Sequence, residues 1–206
     1  ESQLELITKP FDSNKKALSA LEEILSFIHH KEPDIRLHNS SMPPKGTAPI
    51  AKFGKEGRDK EEYREYLQKK YGTSMQLISG VHYNFSIDDL LDDDYLHIIR
   101  NTIRYGFLFP ALFGEGSAAF PLATSIRGSS KGYFPKFQQS LPIDFNSKEG
   151  YLSSIVNCTT LYSSAEYYLF IRPKFKDEKI SHVELRSIDI DPLAPCGIAI
   201  ETMDFA

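Results

Sequence analysis

In three stretches of the chain polar and apolar side chains alternate residue by residue, and that period of two is the strongest constraint on its fold. Met75, Leu77, Val81, Tyr83 and Phe85 share one side of the run 75–85, and Gln76, Ile78, His82 and Asn84 share the other. Gln3 to Ile7 opens the chain in the same manner, with Glu1, Gln3 and Glu5 opposite Leu4 and Leu6. His182, Glu184 and Arg186 project together from a third run, 182–190. Further strands are expected at 166–172 and, shorter, at 123–126. Strands with one polar face suit an antiparallel sheet that turns this face toward a site.

Between the strands the apolar spacing becomes helical. Asp12 or Ser13 offers an N-cap, Leu18, Leu21, Leu25 and Ile28 recur on one stripe, and the helix is expected to end near His30. Residues 59–70 form a second helix with Tyr63, Tyr66 and Leu67 on its apolar side and Gly72 as its stop. Asp92 to Asp94 cap a long third helix from Tyr95 to about Phe109, which Pro110 ends or kinks. Residues 39–57 carry no periodicity and read as a loop, with a lid as one use for it. The sum is an α+β fold in one domain, a size that 206 residues with 41% hydrophobic content can fill with a sizeable core.

Several function classes are excluded or disfavoured. A formal charge of −4 lacks the positive field that draws a protein onto nucleic acid. The longest apolar stretch, 105–113, is broken by Gly106 and Pro110 and is too short to cross a bilayer. Two cysteines, Cys158 and Cys196, supply neither a disulfide framework nor a four-thiolate zinc site, which with no signal peptide suggests a cytoplasmic, reducing compartment. There is no phosphate-binding glycine loop ending in Lys-Ser or Lys-Thr, and no dinucleotide fingerprint.

The polar strand faces carry the candidate chemistry. Glu184 beside Arg186 suits either a cross-strand ion pair or metal-plus-phosphate chemistry, and that strand alone leaves both open. His82 together with glutamates on two other strands suggests a shared cation site, and the excess of carboxylate over thiolate favours Mg²⁺ or Mn²⁺ over zinc. His29-His30 complements a helix C-terminus, and Asp92-Asp93-Asp94 lacks the glycine and distal glutamate of a calcium loop.

Beyond these readings, particular runs resemble a known family. Tyr63-Arg64-Glu65 through Tyr71-Gly72, the run Met75 to Ser86 containing Gly80-Val81-His82-Tyr83-Asn84-Phe85, and Ile99-Arg100-Asn101 through Leu112-Phe113-Gly114 are similar to bacterial glutamate–cysteine ligases of the gammaproteobacterial type. So are Ala123 to Arg127, Ile171-Arg172-Pro173-Lys174 and Val183-Glu184-Leu185-Arg186-Ser187-Ile188-Asp189-Ile190-Asp191-Pro192, in the family's order. The resemblance implies a glutamine-synthetase-like fold, a curved and largely antiparallel sheet with flanking helices, truncated at both ends. It implies ATP as co-substrate, Mg²⁺ or Mn²⁺ as cofactor, and ligation of the glutamate γ-carboxylate to the amine of cysteine through a γ-glutamyl phosphate, the first step of glutathione biosynthesis.

By the same resemblance Glu5, His82 and Glu184 are metal ligands, Arg186 faces the transferred phosphate, and Arg127 engages substrate carboxylate or transition-state charge. Tyr63, Gln76 and Tyr133 line the cysteine pocket, with Arg64 and Asn84 as further substrate-binding candidates. The chain departs from the family at its ends, in the short connection from Phe113 to Ala123, and at Phe134-Pro135-Lys136. It is therefore expected to be a central fragment of a catalytic domain, inactive when isolated. The alternatives are a non-catalytic remnant and a ligase that joins glutamate to another amine.

Overall fold

The structure, a computed structural model, describes residues 3–43, 57–114, 138 and 140–206. They fall in two compact units, one comprising Glu1–Ser79 with Ile190–Ala206 and the other Gly80–Asp189.

In the first unit, helix α1 (Asn14–Lys31) begins where Ser13 accepts a hydrogen bond from the Lys16 N–H. Helix α2 (Arg58–Tyr71) stops at Gly72, whose φ of 85° a side chain would strain. A five-residue helix α3 (Thr73–Leu77) follows at once. The alternation expected over 75–85 thus holds only from Val81 onward. Local polar bonds take the earlier part: Gln68 donates to the Thr73 hydroxyl, and Gln76 donates its amide to the Arg64 carbonyl at 3.1 Å. The opening strand is also corrected, since residues 3–11 form no strand. There Gln3 spends its side chain on the Leu77 carbonyl and the Ser79 hydroxyl. The short C-terminal helix, Ile200–Phe205, packs against α1, where Asn14 donates to the Met203 carbonyl and the Asp204 carboxylate. Asn39 ties down the preceding loop by donating to the carbonyls of Asp191, Pro192 and Ala194.

In the second unit the sheet runs β1 (Val81–Phe85), β3 (Lys179–Ile188), β2 (Ile171–Lys176), antiparallel throughout. The long central β3 buries Val183, Leu185 and Ile188, and strands β2 and β3 join through Asp177 and Glu178, both at positive φ. Two successive left-handed residues make the tight hairpin turn whose twist matches its strands, a role usually given to Asn-Gly. Helix α4 (Asp92–Tyr105) packs Tyr95, Leu96 and Ile99 into the core, and its N-terminus is fastened by Asp92, which accepts the Ile180 N–H and pairs with Lys148 at 2.8 Å. The helix ends at Tyr105 and not near Phe109, with Gly106 as its C-cap, packed so closely on the Phe170 ring that a side chain would have no room. Pro110 then falls in the first turn of a separate helix α5 (Leu108–Phe113), where its missing N–H costs nothing. Helix α6 (Lys148–Val156) adds Tyr151 and Ile155 to a cluster with Leu161, Tyr167 and Leu169. The strand expected over 166–172 begins only at Ile171, because Ser164–Glu166 forms a 3₁₀ turn in which Glu166 accepts the Tyr162 N–H.

Candidate functional site on the three-stranded sheet

The polar residues of β1 and β3 meet because both ladders are antiparallel and nearly in register. Asn84 lies opposite Glu184, and Arg172 of β2 lies opposite the same glutamate on the other side. Between Val81 and Tyr83 the register slips, so that His82 faces two residues of β3, Arg186 and Ser187. Such a bulge re-aims side chains at the point where it occurs. His82, Asn84, Glu184, Arg186, Arg172 and Lys174 consequently share one face.

Glu184 is the centre of this face. Its Oε2 accepts from Arg172 Nε at 2.6 Å and from Arg186 Nη1 at 3.2 Å. Its Oε1 lies 3.4 Å from Lys174 Nζ and 3.5 Å from His82 Nδ1. One oxygen is thus clamped by two guanidiniums while the other is shared by an ammonium and an imidazole. Burial alone would push the Glu184 carboxyl up, but Arg172, Arg186 and His82 together bring it from its ordinary 4.5 down to about 2. Glu184 and Arg186 are both nearly closed off from solvent, whereas the Lys174 side chain is 37% exposed. His182, opposite Lys174, is held below its usual value by burial and by that lysine, against the pull of Glu184. Its Nδ1 lies 2.9 Å from the Ser181 hydroxyl.

Of the metal ligands expected from sequence, the structure brings His82 and Glu184 together. Glu5 belongs to the other unit, where it is exposed. No group of three or more His, Cys, Asp or Glu residues is arranged for a metal among the described residues. Glu184 is the single carboxylate of this cluster and both its oxygens are already engaged, so a hard cation held by it and His82 would take most of its shell from water and phosphate oxygens. Of the expected substrate residues, Tyr63 and Arg64 lie on α2, with Gln76 bonded to the Arg64 backbone. Asn84 is exposed on β1. Arg127 and Tyr133 lie outside the described residues, as do the short strand at 123–126 and the connection from Phe113.

Sequence reasoning gave no role to Arg172 or Lys174. Their alternation on β2 was a readable signal, but it acquires meaning only through the hairpin that sets them opposite Glu184 and His182. The turn residues Asp177-Glu178 do not announce that hairpin.

The α+β architecture thus presents a sheet face with a buried carboxylate held between two arginines. Comparison with known proteins makes the class particular. Residues 1–92 match the family model for glutamate-cysteine ligase. The whole chain aligns with the glutamate–cysteine ligase of Wigglesworthia glossinidia brevipalpis at 29% identity, spanning 56% of that protein. It aligns likewise with the glutathione biosynthesis bifunctional protein GshAB of Listeria monocytogenes at 30% identity, over 34% of that longer protein. In structure it is similar to the glutamate–cysteine ligase of Francisella tularensis, solved in complex with AMP, at TM-score 0.79 and 27% identity over 96% of this chain and 54% of that one. A bifunctional glutathione synthetase from Pasteurella multocida gives the same score, over 97% of this chain and 31% of that one. The chain is a relative of the glutamate–cysteine ligases, and it spans about half the length of the single-function relatives it matches. Its 206 residues align over 285 positions of the Wigglesworthia comparison, so about 79 residues of that protein have no counterpart within the matched span.

Proposed function

We propose that this chain carries part of the catalytic domain of an ATP-dependent ligase that joins the γ-carboxylate of glutamate to the amine of cysteine, the first step of glutathione biosynthesis. The observation that carries the reading is the gathering of His82, Glu184 and Arg186 on one sheet face of a chain related throughout to such ligases.

A carboxylate is a poor electrophile. In the proposed reaction its oxygen attacks the γ-phosphorus of ATP and ADP leaves; the cysteine nitrogen then attacks the acyl carbon, phosphate departs, and the nitrogen loses a proton. A divalent cation held by His82 and Glu184 would neutralise phosphate charge. Arg186 would hold the oxygens of the moving phosphoryl group, since its planar fork matches their geometry. Glu184 keeps that fork oriented through its 3.2 Å bond to Nη1. Tyr63, Gln76 and Tyr133 are assigned to the cysteine pocket, Arg127 to substrate carboxylate, and Arg64 and Asn84 to weaker substrate contacts. The expected setting is the cytoplasm.

The test is product identity. Incubation of the gene-encoded protein with Mg·ATP, glutamate and an amine panel of cysteine, alanine and 2-aminobutyrate should give γ-glutamylcysteine in preference to the others. Equal use of all three would replace the cysteine assignment by a ligase of broader amine range. The residues missing within the matched span favour a second reading, a chain that keeps the fold without turnover, and ATP hydrolysis in none of the mixtures would support it.

A further inference from the structure

The slip between β1 and β3 re-aims one side chain that has no role so far. Val81 and Tyr83 share a face and lie opposite Ile188 and Leu185, so the two residues between these, Arg186 and Ser187, both turn to the other face, beside His82. Without the slip, strict alternation would point Ser187 to the same side as Leu185. Ser187 is 4% exposed, and its Oγ has no hydrogen-bond partner among the described residues. A hydroxyl shut away without a partner costs free energy that an alanine in its place would not. Local rules of this kind are broken mainly where a site needs the group for a ligand.

The neighbouring groups decide what that ligand brings. A guanidinium has donors and no acceptor, so Arg186 cannot take the hydroxyl's proton, and the group complementary to it is an acceptor oxygen. In the proposed reaction Arg186 holds the phosphoryl group, and the oxygen that attacks phosphorus comes within bonding distance of that group, beside the next residue on the same face. A cation there would hold the attacking lone pair back. A neutral hydroxyl fixes one carboxylate oxygen and leaves the other free to attack.

We propose that the Ser187 hydroxyl donates a hydrogen bond to the γ-carboxylate of glutamate and positions its second oxygen for attack on phosphorus. The proposal deepens the ligase reading and rests on it for the identity of the carboxylate. Because Oγ is closed off from solvent, the carboxylate reaches it as the side chains around it shift on binding. Ser187 is thus a substrate contact kept at a cost to the stability of the free protein.

The test is calorimetric binding of glutamate to the gene-encoded protein, with Mg²⁺ and a non-hydrolysable ATP analogue present, so that binding is read whether or not turnover follows. Ser187→Ala should weaken glutamate binding by about tenfold and leave binding of the ATP analogue within about threefold. It should also melt at the temperature of the parent or above it, because no bond of the folded chain is lost. Ser187→Thr, which keeps the hydroxyl, should bind glutamate within about threefold of the parent. If its added methyl prevents folding, Ser187→Cys takes its place and, as a weak donor of similar shape, should bind like the alanine variant. A lower melting temperature for Ser187→Ala would show that the hydroxyl is bonded within the fold and would overturn the proposal. So would unchanged glutamate binding, no glutamate binding by the parent, or a loss that falls on the ATP analogue instead. Glutamate binding that weakens in Ser187→Ala, in a protein that makes no γ-glutamyl product, would count against the ligase reading and leave the contact standing.

Discussion

Glu184 concentrates the energetics of the site. A carboxylate this deeply buried would be costly alone; with Arg172, Arg186 and His82 around it, it remains ionised in all but strong acid. Because its folded value lies near 2, below the ordinary 4.5, the stability it contributes is complete above pH 4.5 and is lost as the pH falls toward 2. Glu184→Gln removes the counter-ion of the buried Arg186 guanidinium and of the partly exposed Arg172, so a loss of about 3 kcal/mol at neutral pH is expected, together with a flatter dependence of stability on pH between 4.5 and 2. Urea denaturation of parent and variant across that range checks both, and identical pH profiles would show that the carboxylate is not held by its neighbours. The meeting of His82 with Glu184 was half legible in the sequence. Period-two alternation puts each on the polar face of its strand, but the slip that sets His82 opposite Arg186 and Ser187 is a property of the ladder, and no residue in β1 signals it.

At the level of elements, caps and glycines were the most legible features. Ser13 starts α1 and Gly72 stops α2 as their chemistry dictates, since a hydroxyl acceptor and a left-handed φ are local requirements. Ends set by distant packing were not legible. Gly106 caps α4 at a point where a Cβ would lie 2.2 Å from the Phe170 ring and 2.5 Å from the Thr102 carbonyl, and the sequence near Gly106 contains no trace of Phe170. Gly106→Ala is therefore expected to destabilise the fold by about 1–3 kcal/mol through overpacking, although its backbone angles suit alanine. A chemical-denaturation midpoint unchanged by the substitution would mean that Phe170 swings aside freely. Alternation misled at Gln3 and Gln76, which read as strand residues, yet Gln3 donates to the Leu77 carbonyl and Gln76 to the Arg64 carbonyl, both outside any ladder.

For the molecule as a whole, the class was readable from periodicity and the family from motif order, because the motif-bearing strands β1 and β3 retain both. The assembly of the candidate site was less legible, since β1 and β3 are distant in sequence, and the sequence of each strand specifies its own faces but not its neighbour. Charge illustrates the same point: a chain of net −4 holds a cationic sheet face that composition conceals. The central claim is that this face supports phosphoryl transfer onto glutamate, and Arg186 is where it is most exposed to refutation. The decisive measurement is steady-state ADP release by the gene-encoded protein, with glutamate and cysteine present, for the parent and for Arg186→Lys. The account predicts ADP release that depends on both amino acids, and in the variant a fall in kcat of about tenfold or more with KM for ATP changed by less than about threefold, because lysine keeps the charge and loses the paired donors. ADP release independent of glutamate, or an unchanged kcat in Arg186→Lys, would contradict it.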